Sequence, residues 1–136
     1  MALAHTPAQL SEEDALMDRR LTGRWGEEKA AAFLRRKGYK IIGMNYSCRM
    51  GEIDVIARNR KFIVFAEVKL RKSAAFAEAR EFVTAAKQER IKTTAAMWLS
   101  ENETALQPRF DVIEIYAPQG PESRNISIRH IEDAFQ

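Results

Sequence analysis

Cysteine occurs once in the 136 residues, as Cys48, so an internal disulfide framework is excluded. No second Cys and no His lies near it at metal-ligand spacing, and it reads as an ordinary reduced thiol. Histidine is scarce as well. His5 and His130 stand in the leading segment and the tail, poor places for a nucleophilic triad. No glycine-rich phosphate loop, internal repeat or low-complexity tract is present. No stretch is apolar enough to span a bilayer, and residues 1–9 lack the basic start and apolar run of a secretory signal. A cytoplasmic location is therefore expected, and the length suits one domain with a proper core.

Charge, by contrast, is abundant and unevenly placed. Residues 1–18 hold four acids and no base. Residues 19–92 hold nineteen Lys or Arg against eight Asp or Glu, and residues 93–136 hold three bases against seven acids. A net charge of only +3 thus conceals a strongly basic centre. Clustered cations are the footprint of a polyanion, and phosphate neutralisation dominates nucleic-acid affinity. The alternative is a merely solvated surface.

Within that centre, residues 51–57 and 62–69 read as two strands joined by a short polar turn. Pairing Arg58 with Lys61 sets Val55 opposite Val64, Ile53 opposite Ala66 and Ala57 opposite Phe62, a wholly apolar face. The other face then carries Ile56, Ile63 and Phe65, with Glu52, Asp54, Glu67 and Lys69 at its far end. This register puts Glu67 opposite Glu52 and diagonal to Asp54. Like charges directly opposite destabilise a strand pair by roughly 0.2–1 kcal/mol, before desolvation is counted. A divalent cation reverses the sign of that interaction, because carboxylate oxygens are what Mg²⁺ takes as ligands. A solvated edge hairpin is the plainer alternative, but Phe65 and Ile63 beside the acids argue for a covered face.

The remaining pattern predicts a short capped helix ending near Arg20 within a leading extension, then a helix over 22–37 stopped by Gly38. A strand over 39–46 precedes the hairpin, and a long helix over 78–100 follows it. Pro108 precedes a strand over 110–116, and a strand over 125–130 leads to a short tail helix. The order is αβββαββ, a mixed sheet with helices packed on it. Two polar residues fall on inward stripes. Glu27 shares one with Ala30, Ala31 and Leu34, and Lys87 lies four residues from both Val83 and Ile91, with Gln88 beside it. Gly23 and Gly26 would let the first helix approach the sheet. Each polar residue also has a rim reading, in which the stem packs and the head reaches water.

Gly51-Glu52-Ile53-Asp54 followed by Phe65-Ala66-Glu67-Val68-Lys69 resembles the core motif of the PD-(D/E)xK nuclease superfamily, with Ile53-Asp54 in place of Pro-Asp. The wider pattern resembles the YraN-like family of bacterial proteins: Gly23, Gly26-Glu27, Gly38-Tyr39, Asn45, the two strand motifs with Arg71, Lys87, and Arg109-Phe110-Asp111. The likeness runs from residue 22 to the C-terminus, dividing the chain into an extension (1–21) and an endonuclease-like domain (22–136). It implies a restriction-endonuclease-like αβββαβ core, α/β in class, with relatives among Holliday-junction resolvases. It also implies that Asp54 and Glu67 bind Mg²⁺ (or Mn²⁺), with the Val68 backbone carbonyl as a third ligand. Lys69 would orient or activate water, Glu27 matches a first-helix acid, and Lys87 or Gln88 an assisting helix position.

The expected activity is Mg²⁺-dependent hydrolysis of DNA phosphodiesters, in branched or structured DNA. Arg24, Arg49, Arg71 and Lys72 are candidates to grip flanking phosphates. DNA is favoured over RNA as partner, no membrane is expected, and a homodimer would suit a junction substrate. Two alternatives remain: a nucleic-acid-binding protein that keeps the scaffold without cutting, and an interaction protein whose charge cluster is structural. Asp111 is left open between ion-pair partner and support for the site.

Overall fold

The computed structural model describes residues 12–72 and 83–136. Helix α1 (Glu12–Arg36) is followed by strands β1 (Lys40–Cys48), β2 (Gly51–Arg58) and β3 (Phe62–Arg71). Helix α2 (Ala85–Glu101) then leads to β4 (Gln107–Tyr116), a single 3-10 turn (Gly120–Glu122) and β5 (Ser127–Phe135). The strands form one sheet in the order β1-β2-β3-β4-β5. Among the described residues only β3 and β4 are parallel, joined by the crossover through α2; every other neighbouring pair is antiparallel. This is the mixed α/β architecture expected of a restriction-endonuclease-like core.

Both sheet faces are covered, which explains why β2 and β3 are apolar on both sides. Ala30 and Leu34 of α1 bury Val55, Ala57, Val64, Ala66, Ile113 and Ile115. Ile91 and Ala95 of α2 cover Ile56, Ile63, Phe65 and Val112 on the opposite face. The two tryptophans pack one against each layer, Trp25 with α1 and Trp98 with α2.

Helix α1 runs unbroken from Glu12, without the expected interruption near Arg20, because neither Leu21 nor Thr22 breaks a helix. It ends as its sequence predicts. Gly38 sits at φ 94°, its N–H donates to the Arg35 carbonyl, and the Tyr39 N–H donates to that of Leu34. Gly26 is buried beside Val68 and Leu70, but a Cβ there would lie 3.9 Å from each, an ordinary contact, and Gly23 faces open space, so the approach of α1 requires neither glycine. Helix α2 begins at Ala85, with Thr84 Oγ1 accepting from the Lys87 N–H; residues 78–82 of the expected helix lie outside the described residues.

Three expectations need correction. The β2–β3 register is displaced by two residues, with Val55 opposite Ala66 and Ala57 opposite Val64. The hairpin closes on Asn59 and Phe62, because the Asn59 side chain accepts from the Lys61 and Phe62 N–H groups and sets a turn of its own. A shift of two preserves which residues share a face, so most of the facing assignment survives. The tail is not a helix: β5 continues through Phe135, whose ring stacks on Phe110 at 5.2 Å, while the Asp133 N–H donates to Asp111. Finally, Pro108 lies within β4, next to its first residue, where the missing N–H costs least.

Candidate metal centre and its flanking cations

The β2–β3 ladder pairs residues only as far as Val55 and Ala66. Just beyond it, Asp54 turns its carboxylate into the gap and Oδ2 accepts the Val68 N–H at 2.8 Å. The neighbouring strand is distorted at the same level. Asn45 adopts φ 54°, a left-handed conformation that Asn tolerates better than most residues. It lies between the rungs Met44–Val55 and Tyr46–Ile53. Met44 and Val55 pack on the α1 side, whereas Tyr46 and Ile53 pack on the α2 side. Ile53 therefore does not share a face with Val55, contrary to strict alternation, and Asp54 is delivered to α1, where it meets Glu27.

One carboxylate oxygen from each of Glu27, Glu52 and Asp54 lies within 4.8 Å of the others. On an octahedral Mg²⁺ neighbouring oxygens stand about 2.9 Å apart and opposite ones about 4.1 Å, so the three side chains must draw closer to seat an ion, as carboxylates on rotatable stems do. An all-carboxylate donor set is the hard-oxygen kind that such ions take, and exposed Glu52 leaves a solvent route to half-buried Glu27 and Asp54. The residues fit a divalent cation.

The electrostatics agree. Burial is the largest influence on Asp54, followed by the charge of Glu67; Glu27 and Glu52 add to them and the Val68 N–H opposes them. Together they push the Asp54 carboxyl up to about 8. Glu27 is raised as well, chiefly by burial, against hydrogen bonds to Asn45 and Asp54.

Glu67, expected as the second metal ligand, lies beside this group but is only 7% exposed, and its Oε1 faces two ammonium groups. Lys69 Nζ is 3.7 Å away and Lys87 Nζ 3.6 Å. Charge-assisted hydrogen bonds run at about 2.7–2.9 Å, so both pairs are loose. Lys87 points toward the sheet far enough to meet Glu67 while 40% of its side chain stays exposed, so it combines the inward and rim readings. Gln88 instead turns back to its own helix end, donating to the Val83 carbonyl. Val68 meets Asp54 through its N–H. Sequence alternation placed Glu52, Asp54, Glu67 and Lys69 together at one end of the hairpin; the approach of Asp54 to Glu27 accompanies the left-handed turn at Asn45, which alternation does not reveal.

Among the candidate phosphate grips, Arg24, Arg49 and Lys72 are exposed. Arg71 is buried, with Nε donating to Glu114 Oε2 at 3.0 Å, so its guanidinium belongs to the interior.

Asp111 resolves as a buried ion-pair partner. It accepts two bonds from Arg109, at 2.9 and 2.8 Å, one from the Asp133 N–H, and pairs with His130 Nε2 at 2.7 Å. Arg109 also donates to the Tyr39 hydroxyl, and Lys37 Nζ reaches His130 Nδ1 at 2.7 Å. Burial alone would raise Asp111, but bonds from His130, Arg109 and Asp133 hold it below the usual carboxylate range. This network ties the end of α1 to β4 and β5. The sharing of one face by Arg109 and Asp111 is the signal that could have revealed it.

Among the described residues no helix is long and apolar enough to cross a membrane. Residues 26–115 match the model of the uncharacterised protein family UPF0102. The UPF0102 protein TTE1452 of Caldanaerobacter subterraneus is 41% identical over 121 residues, covering 88% of this chain and 98% of the relative. A UPF0102 protein of Caldicellulosiruptor saccharolyticus is 38% identical over 120 residues, covering 88% of this chain and all of the relative. The UPF0102 protein GSU0650 of Geobacter sulfurreducens is 40% identical over 120 residues, covering 86% and 90%. With a profile spanning the sheet through most of β4 and relatives matched over nearly their full length, this chain belongs to the UPF0102 family.

Proposed function

We propose that the chain is a Mg²⁺-dependent endonuclease that hydrolyses DNA phosphodiesters, with Glu27, Glu52 and Asp54 holding the ion and Glu67 as the adjoining acid. The convergence of three carboxylates from α1 and β2 on one point, beside an acid that carries two lysines, supports this reading most directly. When bound, Mg²⁺ supplies Lewis acidity toward a phosphoryl oxygen and makes a nucleophile of water near neutral pH.

The chain's own groups do the rest. Lys69 and Lys87, held loosely by Glu67, offer ammonium groups to negative charge that develops on the reacting phosphate. A bound cation would favour the ionised forms of Asp54 and Glu27, which burial otherwise disfavours. Exposed Arg24, Arg49 and Lys72 supply phosphate contacts that fix register without reading bases. Branched or structured DNA is the substrate class favoured, and a homodimer would match it.

A second reading has its own observation. Glu67 is already balanced by Lys69 and Lys87, as it would be in a nucleic-acid-binding protein that keeps the scaffold without cutting. The test is Mg²⁺-dependent nicking of supercoiled, single-stranded and four-way-junction DNA, with Asp54→Ala as control. Cutting that needs both Mg²⁺ and Asp54 is the expected result. Binding by both proteins with cutting by neither would establish the second reading instead.

A further inference from the structure

A groove of about 330 Å³ opens beside the acidic cluster, with Ser47, Cys48, Gly51 and Glu52 on one side and Lys87 and Arg90 of α2 on the other. At one edge of the groove the two elements are in close contact. Gly51 has φ 152°, and a Cβ there would lie 2.9 Å from Thr94 Oγ1 and 3.7 Å from Arg90 Cβ, so α2 rests directly on the start of β2. Glu52 belongs both to the groove and to the acidic cluster, which makes the two continuous. Lys87, 40% exposed, also belongs to both through Glu67.

Arg90 differs from these. Its side chain is exposed, and among the described residues it forms no ion pair or hydrogen bond. Arg71, Arg109 and Arg129, by contrast, each face a carboxylate. A guanidinium without a partner among the described residues, one helical turn from a lysine already at the acids, is suited to take two oxygens of one phosphate.

We infer that this groove receives the phosphate adjoining the one that is cut, and that Arg90 is the residue that grips it. The inference rests on the nuclease reading for the identity of the polyanion. Arg90 orients the strand so that the neighbouring phosphate lies over Glu52 and Asp54, while Lys87 bridges groove and centre. Free nucleotides and long strands share this phosphate chemistry, and the assay uses a strand.

The test is anisotropy of a labelled single-stranded oligonucleotide with Mg²⁺ omitted, over a range of salt, for the full chain and three variants. Arg90→Ala keeps the Cβ that rests on Gly51, and an unchanged melting temperature confirms its fold. It is expected to weaken binding about five- to tenfold and to lower the log–log salt slope by about 0.7, the value for one phosphate contact on a single strand. Arg90→Lys restores part of the affinity. Arg60→Ala, at the far end of the β2–β3 hairpin, alters neither quantity.

Wild-type affinity and slope in Arg90→Ala, or an equal loss in Arg60→Ala, would overturn the groove assignment. Nicking is scored separately. Arg90-dependent binding without any Mg²⁺-dependent nicking keeps the groove and removes the nuclease; nicking with Arg90-independent binding does the reverse.

Discussion

The carboxyl of Asp54, held near 8 by burial and by Glu67, couples the stability of the cation-free protein to pH. A carboxyl whose folded value lies above its unfolded one, here 3.8, binds its proton more tightly in the folded state. Its contribution is full below the unfolded value, declines as pH rises and is gone above about 8. Thermal melting without divalent ions is therefore expected at a lower temperature at pH 9 than at pH 6. Asp54→Asn should flatten that difference, and a variant that keeps the full pH dependence would contradict it. Asp111 is the opposite kind of acid, fully buried and fully partnered. Asp111→Ala leaves Arg109 buried and unpaired, and a loss of about 3–5 kcal/mol in denaturant unfolding is expected. Strand alternation exposed Asp54, since an acid amid Ile53 and Val55 is conspicuous. It said little of Asp111, because Tyr39 and His130 approach it from distant parts of the chain and nothing local announces them.

At the scale of elements, the position of α2 over β2 depends on one residue without a side chain. Gly51→Ala places a methyl group 2.9 Å from Thr94 Oγ1 and forces a φ of 152° on a residue that avoids it. A loss on the order of 1–3 kcal/mol is expected from the strain, read by denaturant unfolding. If nicking is established, its rate should fall as well, because the same strand start carries Glu52 and Asp54. Sequence reasoning placed β1 to β4 and the C-terminal ends of both helices to within a few residues, since hydrophobic period and the Gly38 stop are local signals. The hairpin register was not legible. The choice between turns centred one residue apart rests on a side-chain bond from Asn59, while either register keeps the same face apolar. The β5 tail was misread for a similar reason, its pairing being fixed by Phe110 and Asp111 on a neighbouring strand.

For the molecule as a whole, charge and topology divide the labour. The basic excess over residues 19–92 falls in the same stretch of chain as the acids that would hold the ion, so oligonucleotide affinity is expected to fall steeply with salt. Affinity that is insensitive to salt would leave the cationic surface without a phosphate partner. Adding Mn²⁺ at pH 8 should raise the melting temperature of the wild-type chain, because ligand binding to the folded state stabilises it, and should leave Asp54→Asn unmoved. The mixed sheet was legible as a class, because apolar faces on both sides of β2 and β3 demand two covering layers.

The parallel pairing of β3 with β4 has a consequence for the order of events during synthesis. Glu27, Glu52, Asp54 and Glu67 all leave the ribosome before any residue of β4, yet β3 has β4 along one flank. Contacts so distant along the chain are slow to form. The nascent polypeptide would thus carry its whole set of acids some forty residues before the strand that braces them is made, and maturation of the centre would wait on that late arrival.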